Sequence, residues 1–146
     1  MPFALWALAI GAFGIGTTEF IIAGLLPVIA ADFSVSIPVA GNLATAYALG
    51  VFVGAPALII LGSKVPRKAM LVFLMLLFVA GNLVTAFAPT LGIAILGRII
   101  TSMTHGAFFG IGSIIAADMV TPSKRVRAIA FMFMGLTVAN LIGVPV

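Results

Sequence analysis

The sequence predicts an all-α integral membrane protein of about five transmembrane helices. Hydrophobic residues make up 64% of the chain and charged residues 7%, whereas soluble domains are roughly half apolar and a quarter charged. The apolar residues fall into runs of about the twenty residues needed to cross a 30 Å hydrocarbon core. Six of the seven Lys and Arg residues lie in two short clusters. A chain of 146 residues has too little interior to hide so much apolar surface, so the remainder must face lipid.

The first run, residues 4–29, is interrupted by Thr17, Thr18 and Glu19 and ends in the break Ala31-Asp32-Phe33-Ser34. It is longer than the apolar core of a signal peptide and follows no Lys or Arg, which marks a retained helix. The second run covers residues 39–61, with Pro38 suited to its first turn, where a missing N–H costs nothing. The third, residues 69–88, is closed by Pro89-Thr90. The fourth, residues 91–119, is long enough to be tilted. The fifth, residues 128–146, is still apolar at Val146 and has no polar cap, the pattern of a fragment of a longer protein.

Lys64, Arg67 and Lys68 separate the second and third runs, and Lys124, Arg125 and Arg127 separate the fourth and fifth. Two spans lie between the clusters, so both fall on one face of the membrane. The positive-inside rule makes that face cytoplasmic, with the N-terminus on the same side. The net charge of +4 is therefore a topology signal and not a nucleic-acid-binding stripe. The absence of cysteine excludes disulfides, thiol catalysis and Cys-based metal sites. One His and three scattered acids offer no metal-ligand cluster. No phosphate loop, nucleophile elbow or HExxH pattern points to an enzyme or to a bound cofactor.

Glu19 carries the most information. A carboxylate near mid-membrane costs roughly 2.5 to 3.5 kcal/mol on insertion scales and is usually retained for function. Hydrocarbon favours its neutral, protonatable form, and a group that gains and loses a proton inside the bilayer is what proton-coupled transport requires. The alternative is a structural carboxyl bonded to a neighbouring helix.

Arg98 and His105 share the fourth span two helical turns apart, with Thr101 and Ser102 between them in one polar stripe. Counted from the outer ends of the spans, Glu19 and His105 reach mid-depth and Arg98 lies roughly 9 Å further out. Glu19 can pair with either across the first and fourth helices. Alternatively, Arg98 snorkels to the outer interface, and His105 bonds a backbone or hydroxyl group. Tyr47, Thr101 and Asn140, by the rarity of polar groups in lipid, and Phe109 are candidates for lining a substrate cavity, the alternative for the polar ones being interhelical bonding. Asp118 is expected to form a local ion pair with Lys124 or Arg125. Gly50-Val51-Phe52-Val53-Gly54 and Gly106-Ala107-Phe108-Phe109-Gly110 are small-xxx-small patterns for close helix packing within one bundle.

Thr17-Thr18-Glu19-Phe20-Ile21-Ile22-Ala23-Gly24-Leu25-Leu26-Pro27 resembles the first-helix signature of the drug:proton antiporter branch of the major facilitator superfamily. Arg98 with Thr104-His105-Gly106-Ala107-Phe108-Phe109-Gly110 resembles the fourth-helix segment in which that branch carries a membrane-embedded arginine. The segment Leu61-Gly62-Ser63-Lys64-Val65-Pro66-Arg67-Lys68 falls where the family has a basic loop, but Ser63 replaces the usual aspartate and Pro66 the usual glycine. Gly143-Val144-Pro145 resembles the start of the fifth-helix antiporter motif.

The resemblance implies twelve helices in two six-helix bundles, with the first and fourth lining a central cavity and substrate moving by alternating access. It implies that Glu19 and Arg98 face that cavity. The expected function is then proton-coupled efflux of a small molecule of the drug, sugar or nucleoside class across the inner membrane. The partners would be lipid, substrate, protons and the missing C-terminal helices, and no nucleic acid. Supplying less than half of such a fold, the chain is not expected to complete an access cycle alone. The alternatives are a small multidrug-type homodimer, which also places an essential glutamate in its first helix, and a non-functional membrane fragment.

Overall fold

The computed structural model describes residues 2–145, and all regular structure among them is helical. Five segments are long and apolar enough to cross a membrane: α1 (Phe3–Asp32), α2 (Ile37–Gly62), α3 (Arg67–Ala86), α4 (Leu91–Asp118) and α5 (Pro122–Gly143). Large apolar side chains cover the outer surface of the bundle, with Phe52 78% and Phe87 81% exposed. In water such a surface is a liability, and in lipid it is the natural boundary.

Local chemistry sets the ends. α1 runs past residue 29 to Asp32 because its last turn closes in a Schellman motif. Ser34 adopts a left-handed φ of 54°, its N–H bonds Ala31 O, and the Val35 N–H bonds Ala30 O. α2 opens on extended Ser36 with Pro38 in its first turn and passes through a single irregular residue, Gly41. α3 starts directly after Pro66, two residues ahead of residue 69. The Thr90 hydroxyl accepts from Ile93 N at the start of α4.

α5 also begins earlier than the sequence predicts. It opens with a 3-10 turn at Pro122–Lys124, so Lys124, Arg125 and Arg127 belong to its first turns and not to a loop. Proline fits a first turn, and the long basic stems can lie along the interface while the charges stay wet. At its far end, residues Ala139–Gly143 widen into a π turn.

α4 packs most extensively, against α2 on one side and α3 on the other, while α5 lies along α1. Hydrophobic driving force between helices is absent in lipid, so close contact through small residues must hold them. A Cβ on Gly50 would overlap the Ser102 side chain, one on Gly54 would reach within 2.8 Å of the Met103 backbone, and one on Gly106 would strike the Ala55 Cβ. The two small-xxx-small patterns are therefore used inside one bundle, between α2 and α4. On the other side, Gly81 and Gly97 let α3 and α4 touch backbone to backbone, and Gly135 of α5 sits against the Ala9 carbonyl of α1. The main apolar core joins Leu8, Ala12, Leu74, Phe108, Phe109 and Met132. A smaller cluster of Ile22, Leu43 and Ala94 closes the other end.

Both basic segments lie at one end of the bundle. Arg67 at the start of α3 forms an ion pair with Asp118 at the end of α4. This corrects the expected pairing of Asp118 with Lys124 or Arg125. Because α3 and α4 are antiparallel and packed through glycines, the first turn of one lies against the last turn of the other.

Gly135→Ala drives a methyl into the α1 backbone and is expected to destabilise the bundle by about 1–3 kcal/mol. Gly24→Ala, with nothing within 4 Å of the added carbon, should be neutral or stabilising by up to about 1 kcal/mol through helix propensity. Chemical unfolding in detergent micelles compares the two, and equal effects would show that close α1–α5 contact does not limit stability.

Candidate functional site

Arg98 enters the bundle interior, and its guanidinium must be satisfied there because arginine does not discharge in a protein. Projecting from α4, it is 2% exposed. Its Nη1 donates to the backbone carbonyl of Thr18 on α1 at 2.8 Å, and its Cζ lies 4.3 Å from the centroid of the Tyr47 ring on α2. Such a cation–π contact is worth about 2 kcal/mol when desolvated. Nε and Nη2 are buried without a partner. Snorkelling is thus not adopted: the stem leads inward, and one cation ties together three helices.

Two turns along α4, on the same face, stands His105. Its Nδ1 lies 3.1 Å from the Tyr47 hydroxyl and 3.6 Å from Glu19 Oε2. The first is a full hydrogen bond. The second is too long for one and is an ion-pair distance if the imidazole is charged. Tyr47 therefore bridges the two α4 residues, with its ring on the guanidinium and its hydroxyl on the imidazole. A cavity of about 440 Å³ opens beside the group, lined by Glu19, Tyr47 and Arg98 together with Phe20, Ala23 and Val51. Glu19 and Arg98 are its charged lining residues, and apart from Tyr47 the rest of the lining is apolar, the usual composition of a small-molecule site.

The other candidates scatter. Phe109 continues the aromatic column, 5.1 Å from His105 and stacked on Phe133 of α5 at 4.8 Å. Thr101 is fully buried, donates to Gly97 O and packs against Gly81 of α3, so it seals the α3–α4 seam away from the cavity. Ser102 lies against Gly50 of α2. At about 100° per residue, positions 98 and 105 nearly superpose in projection while 101 and 102 fall to either side, which splits the anticipated polar stripe between three neighbours. Asn140 is exposed on α5 and donates to Leu136 O within its own helix. Lys64, Arg67 and Lys68 lie at the basic end, far along the chain from the cavity helices' midpoints. Arg67 and Asp118 are each about half exposed, so their pair contributes little beyond local alignment. Among the described residues no cluster of His, Asp and Glu is able to hold a metal ion.

What the sequence did not reveal is the acceptor for Arg98, a backbone carbonyl with no side-chain signature, and the double contact of Tyr47. The signal for the latter was that the chain's single tyrosine lies within a membrane-spanning helix.

The sequence profile described as Major Facilitator Superfamily matches residues 8–146. The chain is 57% identical over 143 residues to the inner membrane transport protein YdhP of Escherichia coli (strain K12), covering 98% of this chain and 37% of that protein. It is 36% identical over 145 residues to a chloramphenicol resistance protein of Streptomyces lividans, covering 99% and 37% of the two chains. With a probable sugar efflux transporter of Helicobacter pylori (strain G27) it shares 30% identity over 141 residues, covering 97% and 36%. The chain thus spans little more than a third of the length of these relatives.

Arg98→Met preserves the stem volume and removes two unpartnered buried donors, so bundle stability is expected to stay within about 1 kcal/mol or to rise. A loss above about 2 kcal/mol in chemical unfolding would show instead that its polar contacts hold the fold together.

Proposed function

The chain belongs to the major facilitator superfamily, and from that premise we propose that its five helices form part of a proton-coupled exporter of small molecules. The observation that carries this reading is Glu19, an acid set beside His105 and sharing a cavity with the buried cation Arg98. When Glu19 is ionised it balances Arg98, and the cavity edge is close to neutral. When Glu19 is protonated, the cavity holds an uncompensated cation and a polar ligand is solvated differently. Proton and ligand thereby compete for one site, which is the minimum requirement for exchanging them across a membrane.

The names of the Streptomyces and Helicobacter relatives, a chloramphenicol resistance protein and a probable sugar efflux transporter, support a small-molecule cargo. A cavity lined by Glu19, Tyr47 and Arg98 among apolar side chains suits a small molecule with polar groups. The name of the Escherichia relative supports an inner-membrane location, and the common end of the basic segments supports a cytoplasmic N-terminus. The working partners are lipid, protons, the exported molecule and further helices completing the transport path. Family membership removes the footing of a small multidrug-type homodimer.

In vesicles carrying the transporter that contains these helices, Glu19→Gln is expected to abolish uptake driven by a proton gradient while leaving ligand binding measurable. Undiminished gradient-driven uptake by that variant would remove the coupling role. Orientation is testable because the chain has no cysteine. Ser123→Cys should react with a membrane-impermeant maleimide only in opened cells, and Thr90→Cys in intact ones. The reverse pattern would invert the assigned topology.

A further inference from the structure

Tyr47 lines the cavity beside Glu19, and its hydroxyl and the Glu19 carboxylate converge on one atom of His105. The nitrogen that lies 3.1 Å from its hydroxyl is His105 Nδ1, and that same Nδ1 lies 3.6 Å from Glu19 Oε2. A neutral imidazole nitrogen is either an N–H donor or a lone-pair acceptor, never both. It cannot serve a carboxylate and a phenol O–H in the same state. We propose that Tyr47 is a positioning residue that reads the protonation of Glu19 through the shared Nδ1 of His105 and passes it to the cavity and to Arg98. This rests on the proton-coupling reading of Glu19 given above.

Two arrangements follow from counting protons. With Glu19 ionised, the carboxylate selects the tautomer carrying Nδ1–H, whose proton points to Oε2. No lone pair then remains on Nδ1 for Tyr47, and the phenol turns its proton away from His105. With Glu19 neutral, the proton on His105 moves to Nε2, Nδ1 regains its lone pair, and the Tyr47 O–H donates to it. The phenol oxygen is then an acceptor with its proton engaged.

The Tyr47 ring is 3% exposed and lies on the Arg98 guanidinium, so turning its hydroxyl changes the hydrogen-bonding character of the cavity wall without moving a helix. The groups able to interfere are few. Glu19 comes from α1, Tyr47 from α2, and Arg98 and His105 from α4, while the charged residues of α3 and α5 lie in their first turns at the basic end.

The chain has one histidine and one tyrosine, so isotope labels report on these residues alone. The chain labelled with 15N-histidine and with 13Cζ-tyrosine, in phosphatidylcholine bilayers, is followed by solid-state NMR across pH. His105 is expected to exchange its Nδ1–H form for its Nε2–H form, and the Tyr47 carbon to shift, at one common midpoint. In Glu19→Gln both signals should stay fixed in the Nε2–H arrangement. In Tyr47→Phe the His105 step should persist with a displaced midpoint, because coupling between two sites is reciprocal.

A Tyr47 carbon that stays constant while His105 switches would overturn the inference and leave the Glu19 reading standing. So would a Tyr47→Phe midpoint equal to the parent's, or conversion of His105 to the doubly protonated imidazolium in place of tautomer exchange. If neither signal responds, the inference falls, and gradient-driven uptake by Glu19→Gln decides the coupling reading separately.

Discussion

A cation that cannot be discharged, held in the interior of the bundle at 2% exposure, constrains this structure more than any other group. Arg98 gains its stabilisation from what the neighbouring helices present, and each supplies something different. α1 gives the carbonyl of Thr18, α2 gives the face of Tyr47, and α4 gives the stem itself. One side chain thus joins α1, α2 and α4 at a common depth, and Glu19 follows Thr18 by one residue.

Arg98 is nonetheless not satisfied. Two of its donors are buried without acceptors, and an unpaired buried donor costs about 1–3 kcal/mol. A bundle selected for stability alone would place methionine or leucine at such a position.

Glycine packing holds α4 in place. α4 is clasped by α2 through Gly50, Gly54 and Gly106 and by α3 through Gly81 and Gly97. Contacts made backbone to backbone leave little room for sliding, so the positions of Arg98 and His105 are set by the seams on both sides of their helix. Thr101 and Ser102, which looked like members of the polar face, belong to those seams. Each returns its hydroxyl proton to its own helix and packs against a glycine of a neighbour. Their role is to let the helices meet.

The amino-acid order by itself determined the solvent, the spans and the common face of the two basic clusters. Composition requires lipid, the twenty-residue runs require helices that cross it, and two basic clusters separated by two spans require a common face. Those inferences hold because desolvating a backbone or a charge in hydrocarbon has no local remedy except a helix or an interface. The same reasoning singled out Glu19, Arg98 and His105, since an ionisable group in a span is rare enough to be noticed alone. Only the tertiary structure decided the pairings: Asp118 with Arg67 and not with the nearby Lys124 or Arg125, Arg98 with a backbone carbonyl, and Tyr47 with two partners at once. It also placed Thr101 in the α3–α4 seam and Asn140 on the exposed surface of α5. Pairings depend on the rotation and depth of one helix against another, which small residues spread along both surfaces set collectively, and no single stretch of sequence contains that information.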